Sequence, residues 1–384
     1  DSTIIEGTVT INQGVDSTSL FSGFTITGDY NGRGLNVTTD QNIMIDRINV
    51  LGVGGVSFSN CVATMKNSVI KHNNYTQPGG GVYISSSTID LVNMVIDSNT
   101  VSGNPGGGIY INGTSTDSSH INIDNSSIHF NEAYGDGGGI FTNYYSSLSM
   151  QNTSIMNNIT SNSGGGIHNR SDLKMYNCKI NYNQNNGYGG GLWSDVSFIA
   201  HNTEFIGNSG SDVGGGIYSN GGDQSSLPDS LINCVISDNS SRSNGGGINY
   251  YGYKSFYIFN TIITNNAAGT EESNGVKGGG IYSNRTSEAI NASMLNCTIS
   301  NNIVNGINPG AGGVYGQGQT IDVINTIIMF NDFNAFGSLN INYSNIGGGW
   351  EGIGNIDLDP LFCNIDSSDY TLQNNSPCVG TGLN

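Results

Sequence analysis

Apolar and polar positions along this chain recur in a fixed order, which returns after about 25 to 36 residues. One clear copy reads Gly-Gly-Gly-Ile-Tyr at 214–218, followed by Asn-Cys-Val-Ile-Ser-Asp-Asn at 233–239. A repeat of this length predicts a solenoid, a propeller or a similar array of stacked units. The first part of the motif, the glycine signature, begins at Gly79, Gly106, Gly137, Gly164, Gly189, Gly214, Gly245 and Gly278.

The second part, the asparagine signature, has the period of a β-strand. Three places after its first Asn stands Ile or Phe, one place after it a mostly small residue, and between them residues such as Lys179 and Glu204. Inward first and third positions around an outward second position are typical of strands. Because Asn tolerates left-handed backbone, we expect the first Asn and the Asn six places later at corners, and we expect stacked Asn to form a structural ladder. The predicted ladder, called position zero below, is Asn67, Asn93, Asn125, Asn152, Asn177, Asn202, Asn233, Asn260, Asn296 and Asn325.

These patterns predict an all-β fold, a right-handed parallel β-helix (β-solenoid) of about 11–13 coils with a C-terminal cap. No helical pattern of useful length connects the strands, and the handedness follows from the right-handed preference of parallel crossovers. Residues 1–335 are predicted to form the repeats, and residues 336–384 the terminal coil and cap of the same domain.

The composition narrows the choice of partners. Of 384 residues, 35% are hydrophobic and 10% charged, and the net charge is −18. This charge argues against nucleic acid and anionic membrane surfaces, and no apolar run is long enough to span a bilayer. We expect the partner to be a second copy of the chain, in end-to-end or lateral assembly, or surface glycans or proteins. Membrane insertion is not expected.

Two groups of cysteines lead to different expectations. Cys178, Cys234 and Cys297 share one column of the repeat, and we interpret them as small buried thiols. Cys363 and Cys378 are close in sequence near the C-terminus, and we predict a disulfide between them, which would indicate an oxidising compartment.

The motifs resemble those of known families. The Gly-Gly-Gly-[Ile/Val] and [Ile/Phe]-x-x-Asn signatures resemble the repeats of chlamydial polymorphic outer-membrane proteins, which are β-helical adhesins. The ending, Asp-Pro-Leu-Phe at 359–362, Asp-Tyr-Thr-Leu at 369–372 and Ser-Pro-Cys at 376–378, is similar to that of secreted bacterial right-handed β-helix repeat proteins. The resemblance covers essentially the whole chain and implies a β-helix and an extracellular or cell-surface location. The chain departs from the outer-membrane proteins in its third Gly and in Ile replacing Phe, which only Phe205 keeps.

An aromatic column is the strongest candidate binding feature. It follows the glycine signature, one place after the inward aliphatic residue, so its side chains should point outward one above another. The column can stack on sugars or on a partner, or its rings can stack on each other and shield the sheet. Its members are Tyr83, Tyr110, Phe141, His168, Trp193, Tyr218, Asn249, Tyr282 and Tyr315.

No constellation for catalysis emerges from the sequence. The His residues lack metal spacing, and acids such as Asp97, Asp136, Asp195, Asp212 and Asp238 fall in different columns or loops. The residues Asn355, Asp357 and Asp359 are a weak candidate for a structural calcium site, and no other cofactor is expected. We therefore expect a secreted or cell-surface, non-catalytic protein with an adhesive, structural or self-assembling role, as a filament or surface layer. The alternative is a carbohydrate-active β-helix enzyme, of polysaccharide lyase or glycoside hydrolase type, or a glycan-binding module.

Overall fold

The structure, a computed structural model, describes residues 3–12, 19–28, 32–221, 228–252, 255–285 and 291–383. Within these ranges the regular structure is β, apart from one 3₁₀ turn at Ile365–Ser367. The chain forms two compact units, Asp1–Phe198 with Asn208–Gly210, and Ile199–Gly207 with Ser211–Asn384.

The first unit contains three parallel sheets, called here A, B and C. Sheet A consists of Thr3–Glu6, Phe24–Thr27, Asn49–Leu51, Val69–Lys71, Val95–Asp97, Ser127–His129, Ser154–Met156 and Lys179–Asn181. Sheet C consists of Asn74–Tyr75, Thr100–Val101, Glu132–Ala133, Ile159–Thr160, Gln184–Asn185 and Ser209–Gly210. Sheet B takes two strands from most coils. They are Val9–Ile11, Leu20–Ser22, Leu35–Val37, Asn42–Asp46, Val56–Ser59, Val62–Lys66, Val82–Ser85, Thr88–Val92, Ile109–Asn112, Ser119–Asp124, Ile140–Thr142, Ser146–Gln151, Ile167–Asn169, Asp172–Tyr176 and Leu192–Ser194.

The second unit contains further strands of the same three sheets. Sheet A consists of Glu204–Ile206, Val235–Ser237, Ile262–Thr264, Thr298–Ser300, Ile327–Met329 and Asn345–Ile346. Sheet C consists of Ser240–Ser241, Ala267–Ala268 and Ile303–Val304. Sheet B consists of Phe198–His201, Ile217–Gly221, Asp229–Ile232, Ile248–Gly252, Phe256–Phe259, Ile281–Arg285, Ala292–Leu295, Val314–Ile324 and Ala335–Asn342.

Parallel pairing in register places equivalent side chains one above another. In sheet A of the first unit, the position +3 side chains Ile70, Ile96, Ile128, Ile155 and Ile180 pair in sequence, and each is fully buried. The residues at +2, such as Val69 and Lys179, are at least partly exposed. The predicted parallel β-solenoid, with inward +3 and outward +2, is confirmed.

The corners depend on residues that accept left-handed backbone. All ten Asn at position zero have φ between 48 and 55°, as expected for a residue that tolerates this region. At Gly79 φ is 74°, and a Cβ would lie 2.4 Å from the carbonyl oxygen of Val82. Glycine is therefore required at this bend because no side chain fits.

The continuous Asn ladder lies six residues after the predicted one. At position zero the side chains are mostly exposed, and several of them bond one another, as between Asn93 Nδ2 and Asn67 Oδ1 at 3.0 Å. The Asn at +6 are buried, apart from half-buried Asn331, and are bonded from coil to coil, so they form a second ladder that the sequence analysis did not include. The buried ladder is Asn73, Asn99, Asn131, Asn158, Asn183 and Asn208 in the first unit, and Asn239, Asn266, Asn302 and Asn331 in the second.

The side-chain amide of a ladder Asn both accepts and donates hydrogen bonds. Asn158 Oδ1 accepts from the backbone N–H and from Nδ2 of Asn131, both at 3.0 Å. Asn158 Nδ2 donates to the carbonyl oxygen of Ile128 and to Asn183 Oδ1, both at 3.0 Å. Four hydrogen bonds thus satisfy one buried side chain, which is what a polar group in a dry interior requires.

The C-terminal segment lies against the second unit. The backbone of Ile356 donates to Ser344 at 2.9 Å and continues the stack beyond Asn345–Ile346. Strands Phe362–Asn364 and Asp369–Leu372 then form an antiparallel pair. The hydroxyl group of Tyr370 bonds that of Thr264, so this pair packs along the side of the coils. The assignment of 336–384 as a cap within the same domain stays a prediction.

Candidate functional site

In the first unit the aromatic column is stacked and largely covered. Ring centroids are 5.6 Å apart for Tyr83–Tyr110, 5.2 Å for Tyr110–Phe141, 4.9 Å for Phe141–His168 and 4.0 Å for His168–Trp193. Phe141, His168 and Trp193 are only 4%, 2% and 8% exposed. Of the two interpretations of the column, mutual stacking of the rings describes these residues better than an open binding surface.

Arg170 covers the middle of this column. Its guanidinium carbon lies 5.8 Å from the centroid of Phe141, 5.7 Å from that of Trp193 and 5.8 Å from that of Tyr144. These distances fit cation–π contacts with the ring faces. Tyr144 in turn donates from its hydroxyl to Asp195 Oδ2 at 2.9 Å. The repeat signature does not predict this cover, because Arg170 and Tyr144 lie outside it.

His168 is the titratable member of the stack. Its Nδ1 lies 3.4 Å from Asp136 Oδ1, which also accepts from the backbone N–H of Ser163 at 3.1 Å. Among the described residues neither ring nitrogen has a well-aligned hydrogen-bond partner, so we treat the Asp136 contact as electrostatic. Burial lowers the pKa of His168, and the proximity of Asp136 offsets this only in part. Burial acts to raise the pKa of Asp136, but the contacts with His168, Ser163 and Arg170 outweigh it and lower that pKa.

In the second unit the column ends with an aromatic ring that is exposed to solvent. Tyr282 is buried, its hydroxyl donates to Gln317 Oε1 at 3.1 Å, and its centroid lies 5.9 Å from that of Tyr315. Tyr315 is stacked on Phe336 at 5.3 Å, and Phe336 is 58% exposed. Phe336 was missed because no glycine signature precedes it. Its register opposite Tyr315 identifies it as a column member. Of the other predicted members, Tyr218 is half-buried and Asn249 is buried.

A pocket opens beside this end of the column. It has a volume of about 380 Å³, and Tyr315, Phe333, Phe336 and the stem of Lys277 form its walls. Lys277 Nζ lies 4.8 Å from the centroid of Tyr315. Phe333 is 71% exposed and has φ 53°, a strained conformation for a bulky residue. We call this feature the Lys277 pocket.

A second group of exposed apolar side chains lies in the first unit. Phe130 and Tyr182 occupy equivalent corner positions two coils apart, since they follow the aligned strands Ser127–His129 and Lys179–Asn181. The sheet C strand next to that corner carries exposed Ile159. We call the set the aromatic patch: Phe130, Tyr134, Ile159, Tyr182 and Tyr188.

The cysteine predictions have mixed outcomes. Cys178, Cys234 and Cys297 are free and buried, and burial raises their pKa to about 11, 11 and 12. Cys363 and Cys378 are also free, so the predicted disulfide is not formed in the structure. The sulfur of Cys378 instead lies 3.1 Å from Asn345 Nδ2. A disulfide depends on Cβ geometry, which proximity in sequence does not fix.

The weak calcium candidate is engaged in backbone hydrogen bonds. Asn355 Oδ1 accepts from the backbone of Ser344 at 3.0 Å, and Asp359 Oδ1 accepts from that of Leu361 at 2.9 Å. Asp357 lies two residues from each of them in sequence. Within the described ranges no three His, Cys, Asp or Glu side chains come together as metal ligands.

Three of the acids considered for catalysis have separate partners. Asp97 Oδ1 lies 3.4 Å from His129 Nδ1, Asp136 contacts His168, and Asp195 contacts Tyr144. None of these contacts joins two carboxyl groups, which glycoside hydrolysis requires as a pair. The carbohydrate-active enzyme therefore stays an alternative prediction without an assigned site.

Comparisons with known proteins do not assign the chain to a family. No protein family, no curated protein and no solved structure matches the chain. The likeness to chlamydial and secreted β-helix proteins consequently rests on the motifs alone. In the part of the chain that the structure describes, no helix has the length and apolar character needed to cross a membrane.

Proposed function

We propose that this protein is a non-catalytic adhesive module, secreted or exposed at a cell surface, which contacts its partner through the aromatic patch. The observation that carries the proposal is the exposure of Phe130, Tyr134, Ile159, Tyr182 and Tyr188 on successive coils of one unit. Contiguous exposed apolar side chains on a folded protein are typical of interaction surfaces.

The solenoid supports these side chains at fixed spacings. Phe130 and Tyr182 stand two strand spacings apart, or roughly 9.6 Å. Both have left-handed backbone, with φ of 53° and 56°, a conformation that is unfavourable for aromatic residues. Backbone strain of this kind is retained where the surrounding structure or function requires it. Aromatic side chains in such positions offer a large contact area at a small entropic cost.

The nature of the partner follows from charge. A chain with a net charge of −18 is repelled by polyanions, so neutral or basic surfaces, glycans or proteins, fit best. A second copy of the chain is the remaining candidate, and would give a filament or a surface layer if the contact does not close. The extracellular or cell-surface location is supported by the motif resemblance.

The experiment compares two matched double variants of the full chain. Phe130→Ser with Tyr182→Ser removes two exposed rings of the aromatic patch, whereas Tyr145→Ser with Tyr176→Ser removes two exposed rings outside it. Retention on methyl-terminated and hydroxyl-terminated monolayers is measured with a quartz crystal microbalance, and self-association by light scattering over a dilution series.

We expect the first variant to lose most of its retention or self-association, and the second to behave as the unaltered chain does. Equal behaviour of the two variants would contradict a role for the aromatic patch. Release of reducing ends from a polysaccharide by the unaltered chain would contradict the non-catalytic assignment.

A further inference from the structure

The Lys277 pocket has the features of a built ligand site rather than of a surface irregularity. Three aromatic residues and one lysine, Lys277, line a single cavity of about 380 Å³. Concave sites with apolar walls and few polar groups are the usual form of small-ligand sites. Of the three aromatic residues, Phe333 and Phe336 are the most exposed to solvent.

Gly310 keeps the cavity open. A Cβ at this position would lie 2.9 Å from Lys277 Cγ and 2.9 Å from Tyr315 Cδ2, closer than real Cβ atoms come to other atoms. Any larger residue would thus displace the side chains that form the floor. The absence of a side chain here leaves both the ring and the lysine stem accessible from the same side.

Charge restricts what can enter. The ammonium of Lys277 lies over Tyr315 at 4.8 Å and disfavours a cationic group in the cavity. The chain as a whole carries a net charge of −18 and disfavours polyanions. The fitting ligand is therefore neutral, has one apolar face for the rings and carries oxygens that accept hydrogen bonds from Nζ.

We propose that the Lys277 pocket binds a sugar residue of a neutral polysaccharide. The C–H face of a pyranose ring carries partial positive charge and packs on the negative face of the exposed Phe336 ring. Its ring-edge hydroxyl oxygens accept hydrogen bonds from Lys277 Nζ, and Asn308 also lines the pocket. This site is in the second unit and does not depend on the aromatic patch.

The test is affinity electrophoresis of the full chain in native gels that contain one soluble polysaccharide. Hydroxyethylcellulose and galactomannan are the neutral probes, carboxymethylcellulose the anionic one and chitosan the cationic one. The variants are Phe336→Ser and, as a control, Tyr251→Ser, which removes a ring of similar exposure from the same unit outside the pocket. Both positions are exposed, so neither variant removes a core contact.

We expect at least one neutral polysaccharide to retard the unaltered chain and Tyr251→Ser, and to retard Phe336→Ser with roughly tenfold weaker affinity, as the loss of one stacked ring implies. Lys277→Met should also weaken binding, because it removes the ammonium group and keeps an unbranched side chain. Retardation by chitosan alone would overturn the proposal, since it reports only net charge. A lack of retardation by both neutral probes would also overturn it.

The alternative occupant, an apolar side chain of a partner protein, has a separate signature. In that case the neutral probes do not retard the chain, while Phe336→Ser changes self-association in light scattering, and the sugar proposal fails. The double variant Phe130→Ser with Tyr182→Ser serves as a further control, because it should leave the retardation unchanged. Failure of the patch proposal and failure of the pocket proposal are thus distinguishable.

Discussion

The buried Asn ladder allows a quantitative prediction at Asn158. Truncation to Ala removes four hydrogen bonds and leaves the buried backbone N–H of Asn131 without its acceptor. An orphaned buried donor costs about 1–3 kcal/mol, and each other lost bond about 1 kcal/mol. We therefore expect Asn158→Ala to lower the free energy of unfolding of the first unit by roughly 4–6 kcal/mol.

A matched substitution at position zero provides the control. Asn152 lies one coil before Asn177 in the exposed column, has φ 49° and bonds Asp124 Oδ1 at 3.2 Å in contact with solvent. Asn152→Gly keeps the left-handed backbone accessible and leaves no buried group unpaired. Its expected effect is below about 1 kcal/mol.

The two tryptophans make the assay specific to one unit. Trp193 is buried in the aromatic column of the first unit, and Trp350 is in the second. In a Trp350→Phe background, urea unfolding followed by fluorescence reports the surroundings of Trp193 alone. Equal losses for Asn158→Ala and Asn152→Gly would refute the argument, because the ladder at +6 would then contribute no more than the exposed one. Asn158→Asp sharpens the test, since its deficit should shrink on acidification as the carboxyl gains a donor proton.

Three further predictions concern single side chains. Because the pKa of His168 in the folded state is lowered from 6.5, the unfolded chain binds its proton first, and stability should fall as pH drops from about 6.5 towards the folded pKa; His168→Phe should abolish this loss in urea titrations, and an unchanged pH profile would contradict it. Ile236→Asp places a charge in the dry interior and should cost roughly 4–5 kcal/mol or more, whereas Val235→Asp lies on the outer face; equal melting temperatures would mean that the strand faces are reversed. Cys297, whose pKa burial raises to about 12, should resist iodoacetamide in the folded chain and react in urea, as mass spectrometry of the alkylated peptides will show.

The solenoid could be predicted because its main determinant is local. Ile at +3 and polar or half-exposed residues at +2 are enough to fix strand faces, and a one-residue slip would expose the whole Ile column. The ladder position was harder to predict, because Asn stands both at zero and at +6. Which of the two points inward depends on the turn between them, where residues such as His72, Phe130 and Tyr182 adopt left-handed backbone. The pattern of residue types does not predict the conformation of that turn.

The candidate sites were predicted less well for a related reason. The column positions followed from the repeat, but their cover by Arg170 and Tyr144 comes from residues outside the signature. The Lys277 pocket combines a loop lysine with a loop glycine and a column ring that lie one coil further along the chain. Such assemblies depend on three-dimensional loop paths, which alternation and spacing do not encode.

In-register stacking also determines how such a chain can change in length. Position zero recurs at Asn152 and Asn177, 25 residues apart, and the coil between them offers the same set of donors and acceptors on both sides. Deleting one complete coil would bring equivalent groups together and preserve the phase of every later coil. Removing a fraction of a coil would shift that phase, placing aliphatic side chains at corners and Asn in strands. Loops at the rim can vary in length, whereas the solenoid itself can lengthen or shorten only by whole coils.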